Sequence, residues 1–449
     1  MIEPTVPYPP RFRWLKRILL AIAFLIAGLF VIRAIAVHRA LREFDDEVAA
    51  LKSKGQPTDW ADFSQPELAD DQNAAVLMLK AAQAMTTTIQ QQHAAGLIRR
   101  NEADEQTLAI ADAWVQINAA PLALIRNARD VPGIRWLSSD GSGRANNSYA
   151  AARRLEPLAL LLLTAADSAA RHADALSFAE YECDLSGLAH IAGRAPSGAL
   201  YLNAFVTWGI DMDGPRLATA PMNPQARDAL SRLIQDLLDD QAIAQWTIQS
   251  IAEERVMMIQ GLRHSVINPE PGGHDLYDRA FVFAFRAPLI GKTVRQLRGF
   301  DLAAEAARKS TFPTDIDDNY YLQYRPMEEA IEKRWRSFNK VGTPGGWVSQ
   351  RRRQIAYHRM YVVALAVRMY QADHDGSFPA TLDELLPRYL DRIPVDPYDE
   401  TGKSLQYVTQ PNVMVFDANP MTVSPGGPRV QRIELLRAPP PTQPSVMDN

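Results

Sequence analysis

The stretch from Ile18 to Val37 constrains this chain more than any other. Residues 11 to 42 read RFRWLKRILLAIAFLIAGLFVIRAIAVHRALR, and Ile18 to Ile32 carries no charge. About 20 residues at ~1.5 Å each span ~30 Å, the thickness of one hydrocarbon core. The run is apolar all round, whereas a helix on the surface of a soluble domain is apolar on one face. The sequence therefore predicts a transmembrane helix over 18–37. Arg33 falls near its outer edge, where the aliphatic stem can snorkel. Arg11, Arg13, Lys16 and Arg17 precede the span, and acids dilute the basic residues that follow it. This asymmetry places residues 1–17 on the cytoplasmic side and the bulk of the chain on the other. A cleaved signal peptide competes, because Ala34-Ile35-Ala36 has small residues at the required spacing. Arg33 beside that site and the length of the apolar run favour an uncleaved anchor.

Beyond the span, 38–72 reads as a charged juxtamembrane helix and a linker marked by Gly55, Pro57 and Pro66. From Asn73 to about residue 341 the periodicity is helical. Examples are Ala74, Leu77, Met78 and Ala81; Leu108, Ala111 and Val115; and Leu158, Leu161, Leu162 and Ala165. Ala169, Ala173, Ala175 and Ala179 allow two helices to approach closely. This pairing resembles tetratricopeptide-type repeats, but no fixed period recurs, so the region is expected to be an irregular helical array.

The Gly342–Gly346 stretch (GTPGG) marks a boundary before a module over 346–436, and 437–449 is a proline-rich tail expected to be disordered. The module opens with a helix over Ser349–His374, apolar at Ile355, Val362, Leu365, Ala366 and Met369. Thr381-Leu-Asp-Glu384 has the form of a capping box. Ser404–Val408 and Val413–Phe416 read as strands, with Val430–Leu436 as a third. The expected fold is thus mainly α: a transmembrane helix, an irregular array, and a small C-terminal α+β module.

The order MYQADHDGSFPATLDELLPRYL followed by IPVDPYDETGKSLQYV resembles the globular head of bacterial type II secretion major pseudopilins. Phe378-Pro379, Leu385, Tyr389-Leu390, Pro394, Asp396-Pro397 and Tyr407 occupy the matching places, over roughly the last fifth of the chain. The membrane helix of this chain begins LKRILLAIAF, without the glycine and glutamate of a pilin processing site, which argues against a pilus subunit. The whole arrangement is similar to membrane-anchored bacterial envelope proteins, which implies the inner membrane. The resemblance also implies calcium as a conceivable ligand. Asp396, Asp399, Asp417 and Asn419, with Glu400, supply hard oxygen atoms in this region.

Other chemistry has little support. Net charge is −4, from 48 basic and 52 acidic side chains, so no field favours nucleic acid. The lone cysteine, Cys183, reads as a small buried residue. Asp315 to Asn319 opens like a calcium loop but lacks its glycine and its final glutamate. The eight histidines are dispersed without a zinc pair, and no phosphate loop, dinucleotide fingerprint or nucleophile elbow occurs. No catalytic residue and no cofactor are assigned. Three readings follow: a non-catalytic envelope scaffold binding protein partners, an accessory of a secretion or pilus-like system, and an envelope hydrolase with its site in the array.

Overall fold

The computed structural model describes residues 13–63, 68–99, 103–136, 154–194, 222–268, 276–309, 344–397, 399, 403–410, 413–418 and 431–436. The protein is mainly helical and begins with one long apolar helix, α1 (Arg13–Ser53). This 41-residue helix is long and apolar enough to cross a membrane. Its large apolar side chains from Trp14 to Ile35 are exposed, whereas Phe44, Val48 and Leu51 nearer its end are buried. Gly55, at φ 67°, stops it: Gly55 N–H donates to Lys52 O (2.9 Å) and Gln56 N–H to Leu51 O (3.0 Å). These two bonds satisfy the last carbonyls in a left-handed cap that glycine adopts without strain.

Two compact units follow from the chain's internal contacts. The first comprises residues 1–59 and 255–300. It contains α1, the end of α9 (Asp240–Leu262), a π-helical turn at Arg263–Ile267, and most of α10 (Leu276–Lys309). Arg298 on α10 bonds Glu47 (2.8 Å) and Glu43 (3.2 Å) on α1. Gln260 donates to Asp59 (2.8 Å). Residues 255–300 therefore group with the N-terminal helix, although their periodicity alone assigns them to a single array over 73–341.

The second unit comprises residues 60–254 and 301–449. Its helices are α2 (Ala74–Ala84), α3 (Ile89–Arg99), α4 (Glu105–Ile117), α5 (Ala119–Arg129), α6 (Glu156–Arg171), α7 (Ala175–Gly193), α8 (Pro224–Leu237) and α11 (Pro344–Asp373). Local chemistry starts many of them. Asn73, Asp104, Asp174 and Asn223 accept N–H bonds from the first turns of α2, α4, α7 and α8. α4 and α5 bend by 62° at Asn118. The amide of Asn118 holds the bend by accepting from Thr86 N–H (2.8 Å) and donating to Thr86 O (2.9 Å).

The α6–α7 pair is tightly apposed, with Ala169, Ala175 and Ala179 buried as their small size predicts. Ala173, the fourth of these small residues, forms the turn between the two helices at φ 56°. Asp174 N–H donates to Ala169 O (2.9 Å) and Ala173 N–H to Ala170 O (3.2 Å), a left-handed cap built on alanine.

α11 starts at Pro344, inside the expected boundary and five residues before Ser349, because proline suits the first helical position. From Met360 to Met369 it is buried all round, Met360, Tyr361, Val362, Val363, Leu365, Val367 and Met369 among the buried residues, and Ile355 is inside as well. Its core includes Phe178 and Ala179 of α7, Leu230, Leu233 and Ile234 of α8, and Leu382, Leu385 and Tyr389 beyond the helix. The helix α11 and the residues as far as Leu405 thus share one core with α6, α7 and α8. A helix segment buried on every side needs partners on every side.

After α11 come a short 3-10 turn (Leu382–Leu385) and three strands, β1 (Gln406–Gln410), β2 (Val413–Ala418) and β3 (Gln431–Leu436). The strands form an antiparallel sheet in the order β1-β2-β3, with Tyr407 opposite Phe416 and Phe416 opposite Ile433. Ser404, expected in the first strand, makes an isolated bridge with Val395. Glu384 accepts from Thr381 N–H (3.3 Å) and Ala380 N–H (3.0 Å), which forms the carboxylate half of the expected capping box. The Asp315–Asn319 segment and the tail lie outside the described residues.

Candidate functional site

The most concentrated ionisable chemistry lies on α7 and its neighbours. Helical spacing puts Glu180 and Asp184 on the side facing α5, while Glu182 lies between them in sequence and points elsewhere. Asp184 is fully buried. Arg126 reaches it at 3.0 Å and Arg129 at 2.8 Å, and Arg129 also holds Glu180 at 3.0 Å. Burial pushes the Asp184 carboxyl up to about 6, although both arginines pull the other way. The Arg129 stem runs across Gly187, where an added Cβ would sit 2.8 Å from Arg129 Cγ. Glycine at 187 is what lets this arginine reach its two acids.

Glu182 lies in the apolar core and is bonded by the Tyr361 hydroxyl of α11. Burial pushes its carboxyl up to about 7, and the Tyr361 bond only partly opposes this. The Tyr361 hydroxyl is itself raised well above its ordinary value, by burial and then by Glu182. It therefore remains a donor. The adjacent Cys183 thiol is pushed up to about 12 by burial and contacts Ala229 O at 3.6 Å. It is protonated near neutral pH and has no thiolate character. His190 is pushed down to about 4 by burial, then by Arg194, and is neutral.

Two further networks tie helices together. Arg171 on α6 bonds Asp112 on α4 (2.7 Å) and Asp167 (2.9 Å), and Ser168 Oγ donates to Asp112 (2.7 Å). Asp373, at the end of α11, accepts from Arg227 on α8 and from Tyr389 Oη (2.7 Å), and pairs with Arg388 (2.8 Å). Burial raises the Asp373 carboxyl, but the bonds from Arg227 and Tyr389 outweigh it and hold the group below its ordinary value. In each network arginines neutralise the acids within the fold. The arrangement cements helix interfaces, and burial brings Glu182, at about 7, and Asp184, at about 6, toward neutrality.

Among the calcium-ligand candidates, the structure brings Asp396 and Asp399 onto one turn, where Asp399 N–H donates to Asp396 O (3.1 Å) and Asp396 N–H to Lys403 O (2.8 Å). Asp396 is buried. Asp417 lies on β2 opposite Gln406 and Arg432. Glu400 and Asn419 lie outside the described residues. Among the described residues, no three His, Cys, Asp or Glu side chains group to hold a metal ion.

Sequence reading missed Glu182 and Asp184. The available signal was Glu182 falling at helical spacing with Phe178 and Leu185 on an otherwise apolar stripe. The arginine partners were not readable, because they come from helices distant in sequence. No family model matches the chain, and comparison with curated proteins and with solved structures finds no match either.

Proposed function

We propose that the chain is an uncleaved, single-pass envelope protein of the inner membrane, with its bulk on the extracytoplasmic side, acting as a non-catalytic scaffold for protein partners. The carrying observation is α1. One unbroken helix passes from exposed apolar side chains to the buried Phe44, Val48 and Leu51. At ~1.5 Å per residue it extends ~60 Å, about twice a hydrocarbon core, so its outer half belongs to the folded part. The length of the apolar run and Arg33 beside Ala34-Ile35-Ala36 favour an anchor over a cleaved signal. The scaffold reading draws support from the acids Asp112, Asp184 and Asp373, each neutralised by arginines across helix interfaces. These features also weigh against the hydrolase reading.

The test is fractionation of the full chain carrying an N-terminal epitope. Retention of the epitope, resistance to an alkaline carbonate wash, and activity of a C-terminal reporter that works only outside the cytoplasm are expected. Loss of the epitope, or release by carbonate, would sink the anchor. Crosslinking in intact membranes should recover a reproducible protein partner; recovery at background level alone would sink the scaffold.

The second reading, an accessory of a secretion or pilus-like system, draws on the C-terminal order of long helix, Phe-Pro turn, short helical turn and antiparallel sheet. That order fits a pseudopilin-type head. Intact secretion and piliation after gene deletion would remove it.

A further inference from the structure

Near the start of α10, Phe283 lies against α1, and Phe285, two residues on, projects from the opposite side of the helix. Phe283 is 52% exposed and Phe285 37% exposed. Phe283 packs beside Phe30 of α1, with ring centroids 6.3 Å apart. The Arg33 guanidinium lies 3.5 Å from the Phe283 ring centroid, and its Nε donates to Phe283 O at 3.0 Å. We propose that this segment of α10 dips into the outer leaflet as a second, interfacial membrane contact beside the span. The inference rests on the reading of α1 as a membrane anchor.

Depth follows from the helix rise. With Val37 at the outer end of the span, Arg33 lies ~6 Å and Phe30 ~10 Å below it. Phe283 contacts both, so it shares that level. This matches the ~5–10 Å to which interfacial amphipathic helices sink their apolar faces. Lipid is favoured as the occupant because the surface is continuous with the span: whatever covers Phe30 at that depth also meets Phe283. Pro288 cannot donate to the Ala284 carbonyl, so the segment suits the headgroup boundary and not the acyl centre. The contact also explains how an arginine inside the span is accommodated. Its charge faces a carbonyl and an aromatic ring in place of hydrocarbon.

The test uses the full chain in proteoliposomes of phosphatidylethanolamine and phosphatidylglycerol. In a Cys183→Ser background, nitroxide labels are placed by Phe285→Cys, Leu25→Cys and Ile89→Cys. Leu25 is 64% exposed within the span and Ile89 is 86% exposed in the other unit. Phe285 is chosen because Phe283 holds Arg33. Power-saturation EPR then compares collisions with oxygen, which concentrates in lipid, and with a water-soluble nickel chelate. The expected result is a several-fold higher oxygen-to-nickel ratio at 285 than at 89, on the same side as position 25. A water-like ratio at 285 with a lipid-like ratio at 25 overturns the interfacial contact and leaves the anchor standing. Protection at 285 from both reagents also overturns it, since protein then covers the site. A water-like ratio at 25 overturns the anchor as well.

Discussion

Replacing Glu182 with glutamine keeps an acceptor for the Tyr361 hydroxyl and removes the ionisable group from the core. Burial raises this carboxyl from 4.5 to about 7. A folded-state value above the unfolded one means that the folded chain holds the proton more tightly. The associated stability is present at acid pH, declines as pH rises from about 4.5, and is gone above about 7. A displacement of this size corresponds to ~3 kcal/mol, of which roughly 2–3 kcal/mol is lost between about pH 5 and about pH 8. Glu182→Gln mimics the protonated acid, so near pH 5 it should match the parent closely. Near pH 8 it should be more stable by roughly 2–3 kcal/mol. Urea denaturation of the detergent-solubilised full chain, followed by circular dichroism, reads this directly. The difference between the two chains also cancels the contribution of Asp184 and other titrating groups. Stability curves that run parallel across pH, or equal destabilisation by glutamine at both ends, would refute a buried, proton-linked Glu182.

Leu365→Ala removes a fully buried side chain from the shared core and should destabilise the chain by about 2–5 kcal/mol, seen as a lower urea midpoint. Because α7 and α8 complete the core around α11, residues 344–436 expressed alone should lack a cooperative melt; a sharp melt would show that the segment folds without them. Ala173→Gly relieves the left-handed turn at φ 56° and should stabilise by about 0.5–1 kcal/mol in the same denaturation assay. Asp373→Asn weakens the charged bonds from Arg227, Arg388 and Tyr389 and should lower stability by about 1–2 kcal/mol near neutral pH. That loss should shrink as pH falls below the carboxylate range, because the Asp373 value is depressed in the fold.

The sequence by itself determined the features that depend on local chemistry. The run from Ile18 to Val37 dictates a long helix that is apolar all round. Asn73 starts α2, Gly55 ends α1, and Glu384 turns back on Thr381, because caps are settled within a few residues. Alternation around Pro411-Asn412 placed two strands to within a few residues. Tertiary structure alone decided which helices share a core. The apolar stripe of α11 is legible, but that the opposite face is also buried, against α7 and α8, depends on segments more than a hundred residues earlier. The buried charges follow the same rule. Glu182 on an apolar stripe can be seen, whereas the Tyr361 that bonds it and the arginines that neutralise Asp184 arrive through folding. Arg33 is the clearest case. Sequence places it within the apolar run of α1, and only packing supplies the carbonyl and ring of Phe283, 250 residues away, that receive its charge.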